Sequence, residues 1–254
     1  MSRTGRRRHG VPAAPRVRCA VWWATPSDQP ALVGLLDDDE RRRRSRLTAG
    51  GARERYVTAH VLLRLLLAEA TGVRAADLRF DTTCYRCGAD HGKPRLVGAG
   101  ARAAVGFNVS HAEGRVAVAV TDGAAVGIDV EPVLEPAADA VAEEILGPTE
   151  LEAYRALPAD ARARALAVWW TRKEAVLKAT GDGLALAPAL VPVSAPDEPA
   201  ALATAGSGHA SPEPALGLHL QDLAPVAGYA ACVAVLGPSG LDVSEHDADP
   251  LLAG

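Results

Sequence analysis

No stretch of this sequence stays apolar long enough to cross a bilayer. A spanning helix takes about 20 consecutive apolar residues, and the best run, residues 61–68, is broken by Arg64. A membrane-spanning protein is thereby excluded. A secretory leader is not expected either, because the basic start (Arg3, Arg6, Arg7, Arg8) runs into Pro12 and Pro15 instead of an apolar stretch. Cysteine is scarce: Cys19, Cys84, Cys87 and Cys232 are too few to staple 254 residues together. A reducing cytoplasm is the expected compartment. Aromatic residues make up only 4% of the chain, and none is interleaved with the arginine run at residues 41–46, as base stacking would require. A G-x-S-x-G elbow and a short internal repeat are also missing, which argues against an α/β serine hydrolase and a solenoid.

Lysine is the most telling scarcity. Only Lys93, Lys173 and Lys178 are lysines among 27 basic residues. A lysine kept in so arginine-rich a chain points to a task guanidinium cannot do, since a buried ammonium can exchange its proton and arginine cannot.

What is present is globular: 48% hydrophobic and 23% charged residues, in a length that suits one large domain or two small ones. Charge is unevenly spread. Residues 1–102 carry 20 Lys or Arg against 10 Asp or Glu, and residues 103–254 carry 7 against 21. One half is suited to meeting an anion and the other to holding a cation.

Residues 1–16 read as a loose basic tail, and residues 18–24 as a first strand. Residues 37–46 form a polar, charged stretch. A long helix is expected over residues 52–70, stopped by Thr71-Gly72, and residues 90–94 read as a Gly/Pro loop. Three strands follow at 105–109, 115–120 and 125–131, with Asp122-Gly123 between the last two as a hairpin signal. Helical stretches are expected over 137–157, interrupted at Gly147-Pro148, and over 160–180, ended by Gly181 and Gly183. Residues 195–214 read as a flexible loop, 216–220 and 229–236 as closing strands, and 238–254 as a tail. The pattern is mixed α and β.

Three segments carry candidate chemistry. In Gly127-Ile128-Asp129-Val130-Glu131, alternation on a strand puts both carboxylates on one face. They repel unless a cation lies between them, and Mg²⁺ with its preference for oxygen ligands answers that need. A solvated polar face on an edge strand is the plainer alternative. In Trp169-Trp170-Thr171-Arg172-Lys173-Glu174-Ala175-Val176-Leu177-Lys178, Glu174 and Lys178 stack four apart on a helix, in line with Trp170. That pair is either a surface salt bridge or, beside a buried aromatic, a pair with perturbed pKa values. In Phe107-Asn108-Val109-Ser110-His111, Ser110 and His111 suit an anion at a strand end, or are simply satisfied there. As strand neighbours they face apart and cannot form a nucleophile–base pair.

Taken in order, these three segments, with Gly181-x-Gly183-Leu184 after the third, resemble the 4′-phosphopantetheinyl transferases over roughly residues 17–237. The size matches the monomeric surfactin-synthetase-activating (Sfp-type) branch. The resemblance implies an α/β (α+β) fold of two similar halves related by a pseudo-twofold axis, each a small three-stranded sheet packed with a long helix. The halves would be residues 17–122 and 123–237. It implies transfer of phosphopantetheine from coenzyme A to a serine of an apo acyl or peptidyl carrier protein, with release of adenosine 3′,5′-bisphosphate. By position, Asp129, Glu131 and Glu174 would be Mg²⁺ ligands, and Glu174 would also activate the serine hydroxyl. Lys178 would hold the α-phosphate and assist its departure, and His111 would grip phosphate oxygens. Lys93-Pro94 would lie against the adenine and ribose phosphate, Ser110 against the 3′-phosphate, and Arg43 and Arg55 would reach the phosphates. Neither nucleic acid nor membrane is an expected partner.

Two other readings share some of these residues. A nucleic-acid-binding module would rest on the arginine run and the Cys84-x-x-Cys87 pair. A Mg²⁺ nuclease or other phosphotransferase would share the carboxylates. Cys84, Cys87 and His91 also resemble part of a zinc site, lacking the fourth ligand that structural zinc takes.

Overall fold

The computed structural model describes residues 16–27, 30–84, 86–183, 186–203, 217–237 and 240–253, with His91 described in its backbone alone. Residues 1–15 of the expected basic tail, residues 204–214 of the expected loop, Leu184 and the side chain of His91 lie outside the described residues.

The first half opens with β1 (Val17–Ala24), followed by the short α1 (Pro30–Val33), α2 (Asp38–Arg46) and the long α3 (Gly51–Thr71). Next come β2 (Arg79–Thr83), β3 (Asp90–Val97), β4 (Gly106–Ala112) and β5 (Arg115–Thr121). β1 alternates as a strand between two layers must: Cys19 and Val21 face one core while Trp22 and Ala24 face another. On the latter side α3 lays Val57, Val61, Leu62 and Leu66 against Phe107, Val116 and Val118.

The second half runs through β6 (Val126–Pro132), α4 (Asp139–Ile145), α5 (Pro148–Ala156), α6 (Ala159–Thr180), β7 (Leu218–Asp222) and β8 (Tyr229–Leu236). Its antiparallel sheet has the order β6-β8-β7. α6 covers one face, with Trp169, Val176 and Leu177 packed on Cys232 and Ala234. Ile128, Val130, Val233 and Val235 fill the other face and meet Cys19, Val21, Ala117 and Ala119 of the first sheet. The molecule is thus a mixed α/β fold of four layers, with α3 and α6 outside and two sheets between them.

The expected architecture needs three corrections. The first sheet has four strands, because residues 241–247 are not a tail: β9 (Leu241–Asp247) pairs parallel with β1, giving the order β4-β5-β1-β9. It is followed by a short α7 (Asp249–Leu252). Residues 90–94 are not a loop but the start of β3, which forms a separate hairpin with β2. Asp122-Gly123 does not close a hairpin, since β5 and β6 belong to different sheets; the turn carries the chain from one sheet to the next. The polar stretch before α3 is helical as α2. It has no apolar stripe and is fixed instead by the Asp37–Glu40 capping box and by ion pairs of Arg41 with Asp38 and Arg42 with Asp39.

Candidate active site

Gly127 sets the geometry. A Cβ there would lie 2.1 Å from the Ala175 carbonyl oxygen and 2.4 Å from the Ala179 nitrogen, so β6 and α6 touch backbone to backbone. Asp129 and Glu131 share the Gly127 face of the strand and are drawn under the helix, while Ile128 and Val130 seal into the core between the sheets. Glu174 and Lys178, one turn apart on α6, look down on them. β4 arrives from the first sheet, tied in where the Ile128 N–H donates to Asn108 Oδ1 at 3.0 Å. That contact brings Ser110 and His111 beside the carboxylates.

Ser110, His111, Asp129, Glu131, Glu174 and Lys178, together with Val109 and Trp170, line one depression of about 210 Å³. Asp129 is only 2% exposed. Its Oδ1 accepts from Lys178 Nζ at 2.6 Å and from Ser110 Oγ at 2.9 Å, and Lys178 Nζ also donates to Ser110 Oγ at 3.3 Å. Trp170 Nε1 donates to Glu131 Oε1 at 3.4 Å. Asp129 Oδ2 and Glu174 Oε1 are buried with no hydrogen-bond partner. A carboxylate oxygen in that condition is costly unless something positive reaches it.

The electrostatics say the same. Burial, with the Asp129 charge beside it, pushes the Glu131 carboxyl up to about 7, against the opposing Trp170 N–H and Lys178 ammonium. Burial likewise raises Glu174, with Lys178 opposing and Asp129 adding to the rise. His111 keeps an exposed edge, yet crowding strips enough water from its ring to lower its pKa. The positive charges of Arg55, Lys178 and His60 push it the same way. The depression therefore has a negative floor and a positive rim.

Three carboxylates, two of them with bare buried oxygens, are a donor set fitted to a hard divalent cation. Among the described residues no three His, Cys, Asp or Glu side chains close on a single point, and the cation seated against Asp129 is the Lys178 ammonium.

Lys178 also lines an adjoining cavity of about 740 Å³ with Lys93, Pro94, Asn108, Cys84 and Cys87. Lys93 is tied into the scaffold. Its ammonium donates to the carbonyl oxygens of Val126 at 2.8 Å, Lys178 at 2.7 Å and Ala179 at 3.5 Å, binding β3 to β6 and to the end of α6. Burial pushes its pKa down to about 8. Gly92 before it is required, because a Cβ there would lie 2.8 Å from the Thr83 carbonyl oxygen. Arg55 projects from the first turns of α3, and its charge is felt at His111. Arg43 lies exposed on α2, outside both cavity linings. Cys84 and Cys87 lie at the tip of the β2–β3 hairpin and are not disulfide-bonded. The Cys84 pKa is lowered chiefly by the backbone N–H groups of Cys87 and Arg86.

One residue was missed as a site member. Asn108 had a legible signal, an amide between the apolar Phe107 and Val109. His60 stands on α3 with Nδ1 2.9 Å from Glu40 Oε1, outside both cavity linings.

Comparison with known proteins bears on these residues. Residues 125–234, which hold β6 and α6, match the family model of the 4′-phosphopantetheinyl transferase superfamily. The chain is 35% identical over 190 residues to the 4′-phosphopantetheinyl transferase HetI of a Nostoc species, a match covering 72% of this chain and 77% of HetI. A 4′-phosphopantetheinyl transferase of Bacillus subtilis is 26% identical, over 63% of this chain and 66% of that one. Among solved structures, the holo-[acyl-carrier-protein] synthase of Thermotoga maritima matches 44% of this chain and 62% of its own, at 24% identity and a TM-score of 0.34.

Proposed function

Since this chain belongs to the 4′-phosphopantetheinyl transferase superfamily, we propose that it takes the phosphopantetheine group from coenzyme A. In this reading it places the group on a serine of an apo acyl or peptidyl carrier protein and releases adenosine 3′,5′-bisphosphate. The serine oxygen bonds to the phosphorus bearing pantetheine, and the bond from that phosphorus to the bridging oxygen breaks. The observation that carries the reading is the convergence of Ser110 and His111 from one sheet, Asp129 and Glu131 from the other, and Glu174 and Lys178 from α6. All six come from one chain, which favours action as a monomer in the manner of the Sfp-type branch.

Asp129, Glu131 and Glu174 are the residues that would hold Mg²⁺. When bound, the ion would neutralise charge on the pyrophosphate. The two buried carboxylate oxygens that lack a donor support that assignment. Lys178, at the join of the two cavities, holds the phosphate that leaves with adenosine and offsets its growing charge. Arg55 adds positive charge at the rim, and the His111 ring offers an N–H to phosphate oxygens. Glu174, raised in pKa by burial, accepts the proton of the serine hydroxyl. The 740 Å³ cavity, with Pro94 in its wall, takes the nucleoside end.

Intact-mass spectrometry of a panel of apo carrier proteins, incubated with this protein, coenzyme A and Mg²⁺, tests the proposal. A mass gain equal to one phosphopantetheine arm, abolished by EDTA, is the expected result. No gain on any carrier, combined with no binding of coenzyme A in a titration, would sink it.

A further inference from the structure

Lys178 has two claims on it. The proposed function gives its ammonium to a phosphate, yet in the structure it lies 2.6 Å from Asp129 Oδ1 and 3.3 Å from Ser110 Oγ. The oxygen it holds belongs to the most deeply buried of the three carboxylates, with a side chain 3% exposed against 27% for Lys178. A divalent ion on Asp129 and the Lys178 ammonium are therefore rivals for one carboxylate. The other two carboxylates do not share this rivalry: Glu131 takes its hydrogen bond from Trp170, and Glu174 Oε1 takes none.

The position of Lys178 gives the rivalry an outlet. It borders both the carboxylate depression and the larger cavity beside Lys93 and Pro94. Its backbone is pinned, since the Lys178 carbonyl accepts from Lys93 Nζ at 2.7 Å. Only the flexible four-carbon stem is left to swing. We propose that Lys178 is an exchangeable counter-ion: it neutralises Asp129 until a divalent cation takes that oxygen, and the exchange turns its ammonium into the adjoining cavity. Metal binding and phosphate binding are then coupled through one side chain, because each removes the competitor of the other. The inference rests on the proposed function for the identity of the phosphate but not for the competition itself, which concerns only Asp129, Lys178 and the metal.

Mn²⁺ alone, titrated into the full-length protein and followed by electron paramagnetic resonance, reads that competition without turnover. An intact ion pair lowers apparent metal affinity to the fraction of molecules in which the pair is open. Lys178→Met is therefore expected to bind Mn²⁺ about tenfold more tightly than the parent protein, or better. Lys178→Arg, which keeps the charge, is expected to stay close to the parent. The gain of Lys178→Met is expected to vanish when Asp129→Asn is added. Arg55→Met removes an equal charge elsewhere in the site and is expected to change Mn²⁺ affinity by less than about threefold. Circular dichroism establishes that each variant is folded. Equal or weaker Mn²⁺ binding by Lys178→Met overturns the proposal. So does a gain that survives Asp129→Asn, or one that Arg55→Met matches. The carrier mass assay is read separately, so failure of the counter-ion exchange and failure of the transferase reading give different results.

Discussion

The Arg64 guanidinium and the Asp129 carboxylate are both sealed inside this protein, but their surroundings are opposite in kind. Arg64 sits among Asp37 at 2.6 Å, Glu40 at 2.7 Å, the Ala75 carbonyl at 2.7 Å and the Leu78 carbonyl at 3.2 Å. On α6, Arg172 is treated in the same way by Asp222, Ser194, Ala195 and Glu198. Lys173 next to it is held by Glu150 at 2.7 Å and the Val191 carbonyl at 2.7 Å. These knots are closed, and each fastens a helix to a loop. At Asp129 one oxygen has two donors and the other has none, and on α6, one turn before Lys178, Glu174 Oε1 has none either. A buried charge serving the scaffold is answered within the chain, whereas one serving a ligand is left partly unanswered.

Substitutions on each side of that contrast probe it. Asp129→Ala is expected to have the largest effect, a loss of about a thousandfold or more in transfer rate with little change in melting temperature. Retention of most activity would remove the metal argument. Arg64→Leu is expected to leave activity per folded molecule intact but to cost about 3–5 kcal/mol in urea unfolding, because Asp37 and Glu40 lose their counter-charge. A cost near zero would place Arg64 in the same category as the open site. Lys178→Ala is expected to lower the maximal rate about a hundredfold while raising the KM for coenzyme A by less than about threefold. An effect confined to KM would make Lys178 a simple phosphate contact.

Lys93 gives the smallest effect and a pH signature. Burial holds its folded pKa at about 8, below the ordinary 10.5. Between those values the unfolded chain binds the extra proton. The contribution of Lys93 to stability therefore grows as pH rises through that window and is smallest below it. Lys93→Met leaves three carbonyl oxygens without their donor and is expected to cost about 1–2 kcal/mol near neutrality. The gap in melting temperature between parent and variant is expected to widen on the alkaline side. A gap that narrows there would reverse the sign assigned to the burial.

Much of this arrangement is legible in the sequence because it depends on local periodicity. α6 lies within a residue of where its apolar spacing and Gly181 put it, and β1 within one of its expected start. The alternation of residues 127–131 correctly predicts a shared face for Asp129 and Glu131. β9 was illegible for a physical reason: in Leu241–Asp247 only Leu241 is buried, so it is held by main-chain pairing and leaves no apolar pattern. Gly92 and Pro94 disguised β3, where glycine is needed for a close backbone approach. In the site, the Glu174–Lys178 stacking is a helix rule, but the Lys178–Asp129 contact spans 49 residues and follows from the bare backbone of Gly127 meeting α6. The attachment of Lys93 to three carbonyls had no sequence signal at all. It depends on where β3 meets the end of α6.

The parallel pairing of β9 with β1 also has a consequence in time. Val17 lies opposite Leu241 and Trp23 opposite Asp247, so the edge of the first strand waits for a partner more than 200 residues later in the chain. Pairings of such separation form late, after the nearer contacts have lowered the entropy of closing the intervening loop. On the ribosome, β5 can pair with β1 once residue 121 has emerged, but the opposite edge of β1, beside Trp22 and Trp23, stays open until Leu241–Asp247 follows. His246 then stacks on Trp22, Glu245 accepts from Trp23 Nε1, and Asp249 accepts from Thr25. The first sheet to begin is the last to be finished, and synthesis passes through an interval when an exposed strand edge is available to a neighbouring chain.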